Sequence, residues 1–432
     1  MFRNGWALVC VGLFVCLSAG YGTAATPPQR AELENGLVLL HQGNPAALTV
    51  AVCCFIKVSA LVETRDTAGL RNLTQQTLMD LPDEQGTRLQ ERLAQSGLVG
   101  TVQTSPDYVE AMFQGTADQL PELLHCVRII LGKTQPDPRL VNLRKAAVLR
   151  HQEERRELPL PYARDLAQAH LYASSSCAWP PVGTYSVRAL LPEQLMALRR
   201  MRYVPNNTLV SISGNVTWER CRQQAHEALA DLLPQPVPPE PTLRLTNRAR
   251  PAVLYEPWEG DNAVLMLATP CPSPETPAFA PAMVLNAVLG SGEGSRLFRV
   301  LRDKEGLTYS ILSDLTPSRI CGTIGISASC EPKQAAQVLQ LMQSEVAALK
   351  SRPPSEAEVQ RAKAYLTSSY VLGHQRNAEV AHYLGLFELL SPKQREADLT
   401  DMVARVDPSQ VQTATRWLLD QSVWVQVGGQ RP

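Results

Sequence analysis

The chain has 432 residues, 44% of them apolar and 19% charged, with 41 basic and 41 acidic side chains. This is ordinary globular composition, long enough for two or more hydrophobic cores. A formal net charge of zero gives no electrostatic ground for nucleic acid or an anionic membrane as a partner.

Residues 1–25 read as a secretory signal peptide: Arg3, an uncharged apolar run from Trp6 to Gly20, then the small residues Thr23, Ala24 and Ala25; the alternative is an uncleaved N-terminal anchor. The expectation is an exported protein, periplasmic or secreted. No later stretch has 18 uninterrupted apolar residues, so no membrane span is expected after signal removal. Ala47 to Ile56 follows as an apolar, β-forming strand. Thr87 to Leu93 (TRLQERL) and Gly97-Leu98 precede a strand-like segment, Tyr108 to Gln114. Apolar residues three and four apart then predict helices over Ala117 to Leu131 and Asp137 to Glu157. Thr208 to Ser213 closes this half as a strand.

Leu233 to Pro241 (LPQPVPPEP) holds five prolines in nine residues. Proline fixes φ and removes backbone donors, so a stiff linker is expected over 233–247. It divides the chain into an N-terminal domain, 30–232, and a C-terminal domain, 248–432. The second half repeats the first. Ala263 to Ala268 is its opening strand. Ser295 to Leu301 (SRLFRVL) and Gly306-Leu307 match the earlier block. The strand Thr323 to Ser329 and helices Pro332 to Leu349 and Ser355 to Leu372 come next, with Ser355 and Glu358 forming a capping box. Val423 to Val427 ends it. The order implies an α+β protein: two tandem, homologous α/β sandwich domains, each a mixed sheet with helices packed on it.

The cysteines beyond the signal show no CxxC or Cys/His ligand spacing, and read as small buried residues with one or two disulfide bridges among them. None of the seven histidines pairs with another at i,i+3 or i,i+4. Gly290 to Gly294 (GSGEG) lacks the lysine of a phosphate loop and carries Glu293.

Several stretches resemble the pitrilysin/insulinase-type zinc metallopeptidases, particularly their two-domain, processing-peptidase-like members. They are Glu34-Asn35-Gly36-Leu37, Gly69-Leu70, Tyr203 to Asn207 followed by VSISGNV (Val210 to Val216), and Gly290 to Tyr309 (GSGEGSRLFRVLRDKEGLTY). The resemblance covers most of residues 30 to 430 and implies half of a clam-shell. Active relatives bind zinc through two histidines of an inverted His-x-x-Glu-His motif, whose glutamate is the general base; a distal glutamate completes the site.

Laid on this chain, the motif falls on Asn72, Gln75 and Gln76. The distal segment falls on Arg144 to His151, with Arg144 at an acidic position and His151 at the ligand position. A slipped register brings Glu153 or Glu154 there instead. Amides are poor zinc ligands, and Gln75 cannot accept a proton from water near neutral pH. The resemblance therefore implies no metal and no cofactor in this chain, and no catalysis by the chain alone. The family's substrate-binding arginine and tyrosine match Arg302 and Tyr309, a cation and a phenol donor suited to charge on a scissile carbonyl. The family's substrate-pairing edge strand matches Val99 to Thr104. The expected partners are a zinc-bearing homologous subunit and a peptide substrate. The alternative is a peptide-binding or scaffold protein with no role in proteolysis.

Overall fold

A computed structural model describes residues 27–173, 177, 186–241, 252–392 and 398–431. The expected signal peptide, 1–25, and the linker portion 242–247 lie outside the described residues.

The first half builds a six-stranded sheet from β1 (Gln29–Glu32), β2 (Val38–Gly43), β3 (Thr49–Lys57), β4 (Val99–Thr104), β5 (Tyr108–Thr116) and β6 (Thr208–Gly214). Its order is β1-β2-β6-β3-β5-β4. The second half builds a five-stranded sheet from β7 (Ala252–Glu256), β8 (Ala263–Pro270), β9 (Thr308–Thr316), β10 (Thr323–Cys330) and β11 (Val423–Val427), ordered β7-β11-β8-β10-β9. One parallel pair occurs in each, β2 with β6 and β7 with β11; the other ladders are antiparallel. Without β1 the two sheets have the same topology. The repeat seen in the sequence is a repeat of structure, and β4 and β9 are its equivalent edge strands.

The helices of the first half are α1 (Leu70–Gln76), α2 (Leu89–Gln95), α3 (Leu120–Leu131), α4 (Pro138–Arg156), α5 (Pro159–Leu171), α6 (Ser186–Ala189), α7 (Pro192–Arg202) and α8 (Trp218–Leu229). Those of the second half are α9 (Phe279–Gly290), α10 (Ala335–Ser351), α11 (Glu356–Gly373), α12 (Asn377–Leu390), α13 (Asp398–Ala404) and α14 (Pro408–Leu419). The two helices expected from Ala117 and Pro332 each begin with a tighter 3₁₀ turn, Ala117–Gln119 and Pro332–Gln334. Pro at Pro121 and Pro332 suits a first turn, where the missing N–H has no helical partner.

Each sheet is buried on both faces, and one cover is exchanged between the halves. On β3, Val50, Val52, Cys54 and Ile56 join the core under α3 and α8, while Ala51, Cys53 and Phe55 point to the other face. That other face is covered by α12 of the second half, through Ala381, Leu384 and Leu389. On β8, Ala263, Leu265 and Leu267 face α9 and α10, while Val264, Met266 and Ala268 meet α5 of the first half through Ala163, Ala167 and Leu171. A strand buried on both faces loses polar alternation, which is why both segments read as continuous apolar runs.

Polar groups register the exchange. Ser211 Oγ donates to the Ala381 carbonyl of α12 (2.6 Å). His382 lies 2.8 Å from the buried carboxylate of Glu110 on β5. Tyr172, beyond α5, donates to the Gly322 carbonyl at 2.6 Å. The eight cysteines of the described residues are buried, as expected, but form no disulfide among them, against the one or two bridges expected; each sits as a small side chain in a core. No helix of the described residues is long and apolar enough to cross a membrane.

Candidate functional site

The degenerate motif sits on α1, a short helix pinned at both ends. The Glu63 carboxylate accepts from Gly69 N (3.3 Å) and Arg71 N (2.6 Å), serving as a remote cap for the first turn. Burial pushes the Glu63 carboxyl up, against the opposing pull of the Arg71 charge and the two N–H bonds. Arg71 is buried, and its guanidinium donates to the carbonyls of Ser105, in the turn after β4, and of Tyr108, the first residue of β5.

Gln75, at the base position, is 2% exposed. Its Nε2 donates to the Val102 carbonyl of β4 at 2.9 Å, and its Oε1 lies 3.3 Å from Gln76 Nε2. Both amide ends are thus used within the chain, and α1 is tied to the edge strand. Asn72 is half-buried one turn earlier.

Arg144 of α4 makes a two-pronged ion pair with Asp80, which lies four residues past the motif: Nε to Oδ2 at 2.7 Å and Nη2 to Oδ1 at 2.8 Å. Asp80 is buried, so Arg144 is its counterion rather than a free surface cation. The hydrogen bond to Asp80 raises the already high pKa of Arg144. His151 faces solvent, its side chain 65% exposed and 3.8 Å from Glu154. Glu153 and Glu154 are also exposed. The buried residue of that turn is Gln152.

The structure therefore brings Gln75 and Gln76 together and leaves His151 outside. Among the described residues no group of three His, Cys, Asp or Glu side chains has a metal-holding arrangement. The donor chemistry does not fit zinc: neutral amides stand at the motif positions, the key one presents its N–H face to a carbonyl, and an arginine is buried alongside. Sequence reasoning missed Glu63, Arg71 and Asp80. Their roles come from segments that meet only in the fold, and no local spacing marks them.

The second unit carries the other two residues that the resemblance singles out. Arg302 lies in a wide, π-type helical segment, Phe298–Lys304, equivalent in the repeat to α2. Its guanidinium rests over the Phe298 ring, 4.9 Å from the centroid, and makes no ion pair among the described residues. Tyr309 is the second residue of the edge strand β9 and is 65% exposed. Its hydroxyl donates to Glu331 Oε1 at 3.4 Å. Lys333, 2.7 Å away, holds the Glu331 carboxyl below its usual range. In the first unit β4 alternates exposed Val99, Thr101 and Gln103 with half-buried Gly100, Val102 and Thr104.

Residues 190–366 match the family model described as the peptidase M16 inactive domain. A Streptomyces coelicolor protein named as an uncharacterized zinc protease is 26% identical over 416 residues, covering 93% of this chain and 88% of its own. A Mycobacterium tuberculosis protein of the same description is 25% identical over 405 residues, with 92% of each chain covered. Among solved structures, a peptidase M16 inactive domain from Pseudomonas fluorescens superposes with a TM-score of 0.82 at 20% identity, over 94% of this chain and all of that one. A Helicobacter pylori protease gives 0.84 at 16% identity, again over 94% of this chain. With the shared topology, these matches make the chain similar to the M16, pitrilysin/insulinase-type peptidases, consistent with a homologue that lacks the zinc-binding motif.

Proposed function

We propose that this chain is the non-catalytic subunit of an exported, two-chain M16-type peptidase, and that Arg302 and Tyr309 bind substrate beside the zinc of a homologous partner. One contrast carries the reading. In the first unit the key motif side chain, Gln75, is buried and spent on internal hydrogen bonds. In the second unit Arg302 and Tyr309 are exposed, and the arginine has no acidic partner among the described residues. An exposed cation without an acidic partner, and an exposed phenol held only by a long bond to Glu331, suit a peptide carbonyl on which negative charge develops.

The test is reconstitution. The purified chain alone is expected to cleave no peptide. Mixed with the zinc-bearing homologue of the same organism, it is expected to raise that protein's kcat/KM. Arg302→Ala and Tyr309→Phe should each remove about tenfold or more of the gain. Partner activity unchanged by the chain, or by Arg302→Ala within the complex, overturns the reading. N-terminal sequencing of the mature protein tests export, with Thr26 expected as the first residue.

The alternative, a peptide-binding or scaffold protein, draws on the exposed edge strand β4, a surface suited to β-addition. It predicts a stable complex with an unrelated assembly and no effect on peptide cleavage.

A further inference from the structure

A cavity of about 770 Å³ lies where the two halves and the proline-rich segment Val237–Pro241 meet. It is within the size range of small-molecule sites. It is distinct from α1 and from the Arg302–Tyr309 region, none of whose residues line it. Val38 and Leu209 of the first sheet, Leu389 of α12, Ile320, and Pro238 and Pro239 give it apolar walls.

Its charged groups are unevenly committed. Glu388 is paired with Arg30 at 2.9 Å, and Glu275 with Arg319 at 3.9 Å. Glu240 Oε1 accepts from Ser59 N at 2.7 Å, and Asp107 Oδ1 from Arg319 N at 3.1 Å. Two cations remain. Arg202, the last residue of α7, is only 6% exposed. Its guanidinium has no hydrogen bond and no ion pair among the described residues. Lys57, the last residue of β3, also lacks both. A single side chain joins their backbones, and both residues line the cavity: Asn207 Nδ2 donates to the Lys57 carbonyl (2.7 Å) and to the Arg202 carbonyl (2.8 Å).

The Arg202 residue is buried, yet its guanidinium nitrogens are not sealed off: with no carboxylate in ion-pairing distance, its donors open onto the cavity that it lines, where a ligand can satisfy them. Arginine presents a planar fork that matches the two oxygens of a carboxylate or phosphate, and a neighbouring ammonium adds a point charge. We propose that Arg202 and Lys57 form an oxyanion site in this junction cavity, which binds a small molecule carrying a carboxylate or phosphate group on an apolar body. The ligand bridges the two halves and the proline segment, because all three line the cavity.

The test is calorimetric titration of the full chain at fixed ionic strength with three probes: inorganic phosphate, N-acetyl-leucine and N-acetyl-leucine amide. One saturable site is expected for phosphate, for the carboxylate, or for both, and none for the uncharged amide. Which anion binds identifies the headgroup. Arg202→Gln and Lys57→Gln should each weaken binding by about tenfold or more. Lys57 is exposed, so its variant tests the site without disturbing the core. Absence of saturable binding by either anion overturns the proposal. So does equal binding of the amide, or affinity unchanged in the Lys57 variant. None of these outcomes depends on reconstituted peptidase activity.

Discussion

At the scale of single residues, the segment where the zinc motif of the family falls is committed to internal hydrogen bonds. Gln75 stands where a catalytic base is expected, but its amide N–H donates to the Val102 carbonyl. A carboxylate there would face a carbonyl lone pair inside a buried site. Gln75→Glu is therefore expected to lower stability at pH 7.5 by about 1–3 kcal/mol rather than to restore chemistry. Repulsion and burial raise the folded-state pKa of the introduced acid above its unfolded value. The penalty should thus shrink as pH falls through that raised pKa, since the protonated acid can donate where the amide did. Urea unfolding of both proteins at pH 7.5 and pH 5 checks this; an equal penalty at the two pH values contradicts it. Asn72, Gln75 and Gln76 could be read from the sequence as replacements. What replaced the chemistry could not, because the Val102 carbonyl and the Asp80 carboxylate reach these residues only through the fold.

At the scale of elements, the duplication was legible wherever each unit specifies its own structure. Gly97 and Gly306 follow the matching helical segments, with φ of +64° and +63°, and nothing lies within 4 Å of where a Cβ would stand. Alanine at either position should cost about 1 kcal/mol from backbone strain alone, and similar amounts at both. Thermal unfolding of the two single variants measures it. The capping box of α11 was also readable, and the structure gives its glutamate a second task. Burial tends to raise the Glu358 carboxyl, but Arg296 (2.6 Å) and Ser355 outweigh it and hold it down to about 2. The folded pKa lies below the unfolded value of about 4.3. The stabilisation is therefore present above that value and is lost as pH falls from about 5 towards 2. With solvent screening it amounts to about 1 kcal/mol. Arg296→Ala should flatten this acid limb of the stability curve, measured by urea midpoints from pH 2 to 6. The helices α5 and α12 escaped the sequence reading for a physical reason. Each buries its apolar side against the other half's sheet, and a pattern along one segment does not name its partner.

At the scale of the whole molecule, the exchange of α5 and α12 makes the halves depend on each other. Gly385 lets α12 come down onto β3: an added Cβ would stand 2.2 Å from the Phe55 ring and 2.8 Å from Ser211 Oγ. Leucine at this position should force the helix off the sheet, at a cost of about 3 kcal/mol or more. The expected signature is a lower Tm with cleavage of α12 under limited proteolysis while α8, on the opposite face of the sheet, stays protected. Intact α12 in that variant contradicts the argument. The proline segment links the halves covalently, and the exchange holds them together.

The same exchange has a consequence during synthesis. The apolar face of the first sheet is complete once Thr208–Gly214 has been made, yet its cover is Asn377–Leu390. At ribosomal speed the interval is on the order of ten seconds or more. Throughout it the nascent chain presents Phe55, Leu209 and their neighbours bare. A product that stops within the linker never acquires the cover and carries a sticky sheet suited to capture by chaperones and proteases. The crossed helices thus make the last third of the message a proofreading step for the first.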